Sequence, residues 1–145
     1  MIRLRVLVGC CSLALVGCST KCELDDDLRL FAGEAARDCG SAESSEQRAA
    51  VDACVADAFE GKHGFIARYP RQGEDSKLIT AVASNSAGVV KLFQWDSAPC
   101  GGSSCDPVTD VQSCEAPTLT VETSDDPEAL PVTCESYGLA ERTCG

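Results

Sequence analysis

Eleven cysteines and a single histidine are the residues best equipped for chemistry in this 145-residue chain. The cysteines stand at positions 10, 11, 18, 22, 39, 54, 100, 105, 114, 134 and 144. Thiols can serve as metal ligands, redox pairs, nucleophiles or disulfide halves, and their spacing separates these uses. No Cys-x-x-Cys pair occurs and His63 is the lone histidine, so neither a zinc centre nor thioredoxin-type exchange is expected. Beyond the N-terminal group at 10, 11, 18 and 22, Cys100 and Cys105 form the one tight pair, around Gly101-Gly102-Ser103-Ser104. Paired, they would close a small rigid ring, and a preorganised loop binds well because it loses little entropy. A structural turn after Trp95 is the plainer use of the same glycines and serines. The Gly101-Gly102 step is followed by neither a lysine nor a helix start, so it is no phosphate cradle.

His63, within Gly61-Lys62-His63-Gly64, lies where a helix should end, and a cation is favoured there by the helix dipole. To act as a base it would need a placed nucleophile and an orienting acid, and no Gly-x-Ser-x-Gly elbow supplies the first. No catalytic residue and no cofactor is therefore assigned. The acidic runs Asp25-Asp26-Asp27 and Asp125-Asp126-Glu128 offer oxygens for calcium. Neither has EF-hand spacing, and the first suits a helix N-terminus, so no metal is assigned.

Position within the chain then sorts the cysteines. Arg3 and Arg5 precede an apolar run from Val6 to Gly17, broken only by Ser12 and ending in Leu15-Val16-Gly17-Cys18. The run is shorter than the roughly 18 to 20 residues a membrane-crossing helix needs, and it fits the apolar region of a signal peptide. These residues resemble the signal and lipobox of bacterial prolipoproteins. The resemblance implies cleavage after Gly17 and a diacylglyceryl thioether on Cys18, with acylation of the new amine as well. It covers only the first 20 or so residues. Leu7-Val8-Gly9-Cys10 matches the same short pattern. A cut there would leave too short an apolar region, against the usual ~7 to 15 residues, and would strand Cys11 to Gly17 on the mature chain. Ser19 stands where an aspartate signals inner-membrane retention in enteric relatives, which favours the outer membrane. An ordinary secretory signal shares the basic start and apolar region but leaves Cys18 as a spare thiol.

On that reading residues 1–17 are removed and 18–21 carry the anchor and a short linker. Residues 22–145 form one domain. Eight cysteines then remain of the eleven, an even set that suits a disulfide framework in an exported domain of this size. They are Cys22, Cys39, Cys54, Cys100, Cys105, Cys114, Cys134 and Cys144. The whole sequence carries a formal charge of −11, from 12 basic and 23 acidic residues. Losing Arg3 and Arg5 leaves ten basic residues and a charge near −13. Such a surface repels phosphate backbones and anionic headgroups. No nucleic-acid partner is expected, and the membrane is held through lipid.

The elements expected between Cys22 and Asp96 are two helices and three strands. Leu24, Leu28, Phe31, Ala35 and Cys39 recur at helical spacing, with Gly40 as a stop. A second helix starts near Ser44, where Gln47 completes a capping box, and ends at Gly61. Its apolar stripe is Val51, Cys54, Val55, Ala58 and Phe59, so a Cys39–Cys54 bridge would staple a helical hairpin. Phe65 to Tyr69, Leu78 to Ala83 and Val89 to Trp95 read as strands joined by short turns, which favours an antiparallel meander. Trp95, beside Phe93 at strand spacing, reads as core. From Ser97 onward prolines and cysteines accumulate. Thr118–Thr123 and Leu130–Cys134 fit one hairpin that Cys114 and Cys134 could close. The expected architecture is α+β. A helical hairpin packs on a three- to five-stranded antiparallel sheet over 22–96, with an irregular Cys/Pro-rich extension over 97–145.

The function this supports is coarse: a lipid-anchored envelope protein, non-enzymatic, that binds or scaffolds another protein through its sheet face or the Cys100 loop. A tethered protease inhibitor using that loop is the alternative. A hydrolase using His63 stands behind both.

Overall fold

The computed structural model describes residues 23–102, 104–120 and 129–144, the side chain of Cys144 excepted. The signal segment, Cys18 and Cys22 lie outside these residues, as does the acidic run Asp125-Asp126-Glu128. Helix α1 (Leu24–Ala32) is followed by strand β1 (Arg37–Ser41) and helix α2 (Ser45–Glu60). Strands β2 (Phe65–Gln72), β3 (Lys77–Ser84), β4 (Val90–Asp96) and β5 (Val108–Glu115) come next. Short strands β6 (Thr118–Leu119), β7 (Val132–Thr133), β8 (Ser136–Tyr137) and β9 (Glu141–Cys144) complete the order. The main sheet has seven strands in the order β1-β2-β3-β4-β5-β8, with β9 also paired to β5.

The α+β class holds, but the main sheet is larger than the three to five strands expected, and three further expectations are corrected. First, α1 stops at Ala32 and does not reach Cys39. Gly33 takes φ +87° and donates its N–H to the Arg29 carbonyl at 2.9 Å. That positive-φ stop comes seven residues before Gly40, at a backbone conformation that glycine adopts without steric cost. Gly40 (φ +91°) serves instead as an irregularity within β1, where the register shifts between Asp38 and Gly40.

Second, Arg37–Ser41 is a strand parallel to β2, so the sheet is mixed. A parallel pair needs a crossover, and α2 supplies it. Third, the helices form no hairpin; they lie on opposite faces of the sheet. Leu24, Leu28 and Ala32 of α1 pack on Ile66, Ala81, Ala83, Phe93 and Val111. Val51, Val55 and Ala58 of α2 pack on Phe65, Ala67, Val82 and Leu92. Neighbours in sequence such as Phe65 and Ile66 thus face different helices, as strand alternation requires. Cys39–Cys54 therefore ties a strand to its crossover helix, with Cα atoms 5.6 Å apart.

The antiparallel β2-β3-β4 meander is present. The start of α2 is capped as its sequence suggests. Ser44 Oγ accepts from the Gln47 N–H at 3.3 Å, and Gln47 Oε1 accepts from the Glu43 N–H at 3.1 Å. The stretch from 97 onward is less irregular than expected, because β5 extends the main sheet along the whole of β4. Cys114 on β5 is bridged to Cys134, which closes the β6–β7 pair onto the sheet.

Candidate functional site

The face that α2 covers is only half covered. Along this face β3 presents Leu78, Thr80, Val82 and Ser84, and β4 presents Val90, Leu92, Gln94 and Asp96. Val82, Val90 and Leu92 pack in the α2-side core, with Ser84 buried at the same end. Thr80, Gln94, Leu78 and Asp96 lie beyond it. Register places Tyr69, Thr80, Gln94, Asp110 and Arg142 side by side, one per strand across β2, β3, β4, β5 and β9. The next row outward is Arg71, Leu78, Asp96 and Val108.

Each end of the polar row is fixed by a different interaction. At the covered end the Tyr69 hydroxyl donates to Asp52 Oδ1 of α2 at 2.8 Å, and the Arg48 guanidinium lies 5.2 Å from the Tyr69 ring centre. Burial, reinforced by the hydrogen bond to Asp52, pushes the Tyr69 phenol far above its ordinary range. At the open end Arg142 meets Asp110 through two hydrogen bonds, Nε to Oδ1 at 2.9 Å and Nη2 to Oδ2 at 3.2 Å. The Arg142 contact holds the Asp110 carboxyl below its ordinary value, and Asp110 raises that of Arg142. Between these ends Thr80 is half-buried and Gln94 exposed.

This open end forms a shallow depression of about 250 Å³, with Pro99 on its rim. Pro99 leads into Cys100, which is bridged to Cys105 with Cα atoms 6.0 Å apart. The ring therefore stands beside the polar row. The depression is smaller than the ~300 to 1,000 Å³ of small-molecule pockets. It also has mixed charge and hydrogen-bonding capacity spread along a flat sheet. Such a surface suits contact with another macromolecule better than engulfment of a compact ligand.

The other residues singled out from the sequence are scattered. His63 is exposed at the opposite end of the sheet, beside the end of α2. Its ring lies against Gly61, where a Cβ would come within 2.8 Å of Cδ2. It borders a hollow of about 560 Å³ with Arg37, Lys62 and Ser86. Arg37 is engaged there by Asp57. No hydrogen bond joins His63 to Ser86 or orients the imidazole among the described residues. Among the described residues, no group of three His, Cys, Asp or Glu side chains is placed to hold a metal ion. Asp25 and Asp27 bond instead to Arg68 and Thr143. Trp95 packs at the margin of the α1-side core. No described helix is long and apolar enough to cross a membrane.

Two features escape a reading of the sequence. One is the polar row itself, whose members lie on five strands and gain meaning only from register. The other is Arg68, which lies on the α1 face with a side chain 13% exposed. Its Nε donates to Asp25 and its Nη1 to Asp38, each at 2.7 Å, and Arg29 approaches the same Asp38 at 3.6 Å. Burial acts to raise the Asp38 carboxyl, but the Arg68 contact and the Gly40 N–H outweigh it and leave it lowered. An arginine between the apolar strand residues Ala67 and Tyr69 was the available signal. No protein-family model, curated protein or solved structure matches this chain.

Proposed function

We propose that the protein is a lipid-anchored envelope lipoprotein, held through Cys18 in the outer membrane, whose domain binds another protein without catalysing a reaction. The observation that carries the binding role is the juxtaposition at the open end of the sheet. Thr80, Gln94, Asp110 and Arg142 form one polar row, and Pro99, which lines the same depression, leads into the Cys100–Cys105 bridge. A flat, preorganised polar surface next to a constrained loop is the anatomy of a protein contact, since little is lost in ordering it. The lipobox residues Leu15-Val16-Gly17-Cys18 carry the anchoring half of the proposal.

The test is site-specific photo-cross-linking in the native envelope. A photoreactive residue at Gln94 is expected to give a discrete protein adduct, and the same probe at Lys62, on the opposite end, is not. Equal labelling at both positions, or none at Gln94, overturns the assignment of this face. The Cys100–Cys105 bridge also suits a tethered protease inhibitor, because a loop closed by its own disulfide presents a constrained backbone. A protease panel separates the two readings. Inhibition by the native domain that is lost in Gly101→Trp favours the inhibitor, and no inhibition removes it.

A further inference from the structure

We infer that the hollow at the end of the sheet where α1 and α2 both finish binds a small free monocarboxylate, its charge met by Lys62 and His63 and its apolar part lying against Ala32, Ala35 and Ala36. The site stands apart from the polar row and needs neither the lipid anchor nor the protein-contact reading. Its volume of about 560 Å³ falls within the ~300 to 1,000 Å³ of small-molecule pockets, unlike the shallow depression at the open end of the sheet. Three connections build it: the α1–β1 turn, the α2–β2 loop and the β3–β4 turn at Ser86.

Lys62 occupies a position where glycine is the usual residue. Its N–H donates to the Phe59 carbonyl at 3.1 Å, and the His63 N–H donates to the Ala58 carbonyl at 2.8 Å. This pair of bonds ends a helix through one left-handed residue, and here that residue is Lys62 at φ +55°. An L side chain is strained in that region, and strain of this kind collects at ligand sites. The Lys62 ammonium also makes no ion pair or hydrogen bond among the described residues. In a chain of formal charge −11 that is the exception: Arg29, Arg37, Arg48, Arg68 and Arg142 each meet a carboxylate. The helix dipoles that end here favour the cationic side chains, and an incoming anion meets those side chains first.

The hollow also supplies donors in excess. The backbone N–H groups of Glu34, Ala35 and Ser86 bond to no acceptor among the described residues. Turn amides left unpaired beside an ammonium suit a carboxylate, which accepts several hydrogen bonds at once. His63 adds a ring N–H, and Gly61 makes room for the ring: a Cβ there would lie 2.8 Å from Cδ2 and 3.1 Å from Nε2. Arg37 braces the wall by bonding to Asp57, which joins the start of β1 to α2 and neutralises both charges. Glu34 is the one carboxylate among the described lining residues. Lys62 is thus left to face one negative charge, and Glu34 repels a second, which disfavours a phosphate dianion.

An amide NMR titration of the full chain with sodium butyrate, at constant ionic strength, tests the site. Saturable shifts are expected at Glu34, Lys62, His63 and Ser86 on one binding curve, with none at Gln94. Butanol, which has the same chain without the charge, and inorganic phosphate should each bind about tenfold more weakly. Lys62→Gln should weaken butyrate by about tenfold. Lys62→Gly should weaken it equally with the melting temperature kept or raised, because it removes the ammonium and the backbone strain together. No saturable shift in the hollow, equal binding of butanol, or butyrate affinity unchanged in both variants overturns the site. Phosphate binding as tightly as butyrate overturns the choice of a single negative charge. A protein adduct at a Lys62 photoprobe would assign the carboxylate to a polypeptide C-terminus and overturn the small-molecule assignment.

Discussion

The two halves of the α2-side sheet face are built from the same strands and serve opposite ends. Under the helix, Phe65, Ala67, Val82 and Leu92 exclude water with Val51, Val55 and Ala58. Two residues further along β3 and β4, the side chains become Thr80 and Gln94, with Asp110 beside Gln94 on β5, none of them fully buried. Alternation along a strand marks which face a residue occupies. What covers that face is decided by where a helix begins and ends. The lesson is that a polar residue in an alternating strand need not point away from the core side. Here it marks where α2 stops covering the sheet.

Substitutions at the two ends should therefore separate stability from binding. Phe65→Ala removes a fully buried ring from the covered half and should cost about 3 to 5 kcal/mol by chemical denaturation. An effect below about 1 kcal/mol would mean that α2 does not seal this half. Arg68→Ala, on the opposite face, should cost about 2 to 3 kcal/mol. That figure sits below the usual cost of breaking a buried pair because Asp25 and Asp38 keep access to water.

The Arg68 cluster also predicts a pH signature. Asp38 is held below its ordinary 3.8 in the folded protein. Both states are ionised above that value, so the stabilisation is fully present there. As the pH falls below about 3.8 the unfolded chain takes the proton first, and stability is lost until the folded carboxyl also titrates. Asp38→Asn should flatten the fall in stability below that pH while lowering stability at neutral pH. An unchanged acid limb would detach Asp38 from the network.

The smallest stability effect belongs to the open end. Gln94→Ala and Thr80→Ala should each change stability by less than about 0.5 kcal/mol, because neither side chain is fully buried. The same changes should weaken partner cross-linking. A large loss of stability would move these residues into the core and remove the distinction between the halves.

Much of this was legible beforehand, for local reasons. The capped start of α2 at Ser44 and Gln47 and the β2-β3-β4 meander follow from short-range pattern and turn residues. The sequence misleads where tertiary structure overrides local preference. Arg37–Ser41 continues a helical spacing but pairs with β2 in parallel, after Gly33 has ended the helix. In β5, Val108, Val111 and Cys114 are buried while Asp110 and Gln112 are not fully so, which breaks a clean period of two and conceals the strand. The polar row was illegible in principle, since its members are brought together by register alone.

The claim on which the account most depends is that a lipid on Cys18 holds this domain at a membrane. Intact-mass measurement of membrane-extracted protein, before and after reduction, tests it most directly. The account predicts a chain that begins at Cys18 with added acyl mass and gains two hydrogens for each bridge on reduction. A chain that begins at Ser19 or later, without acyl chains, would contradict it.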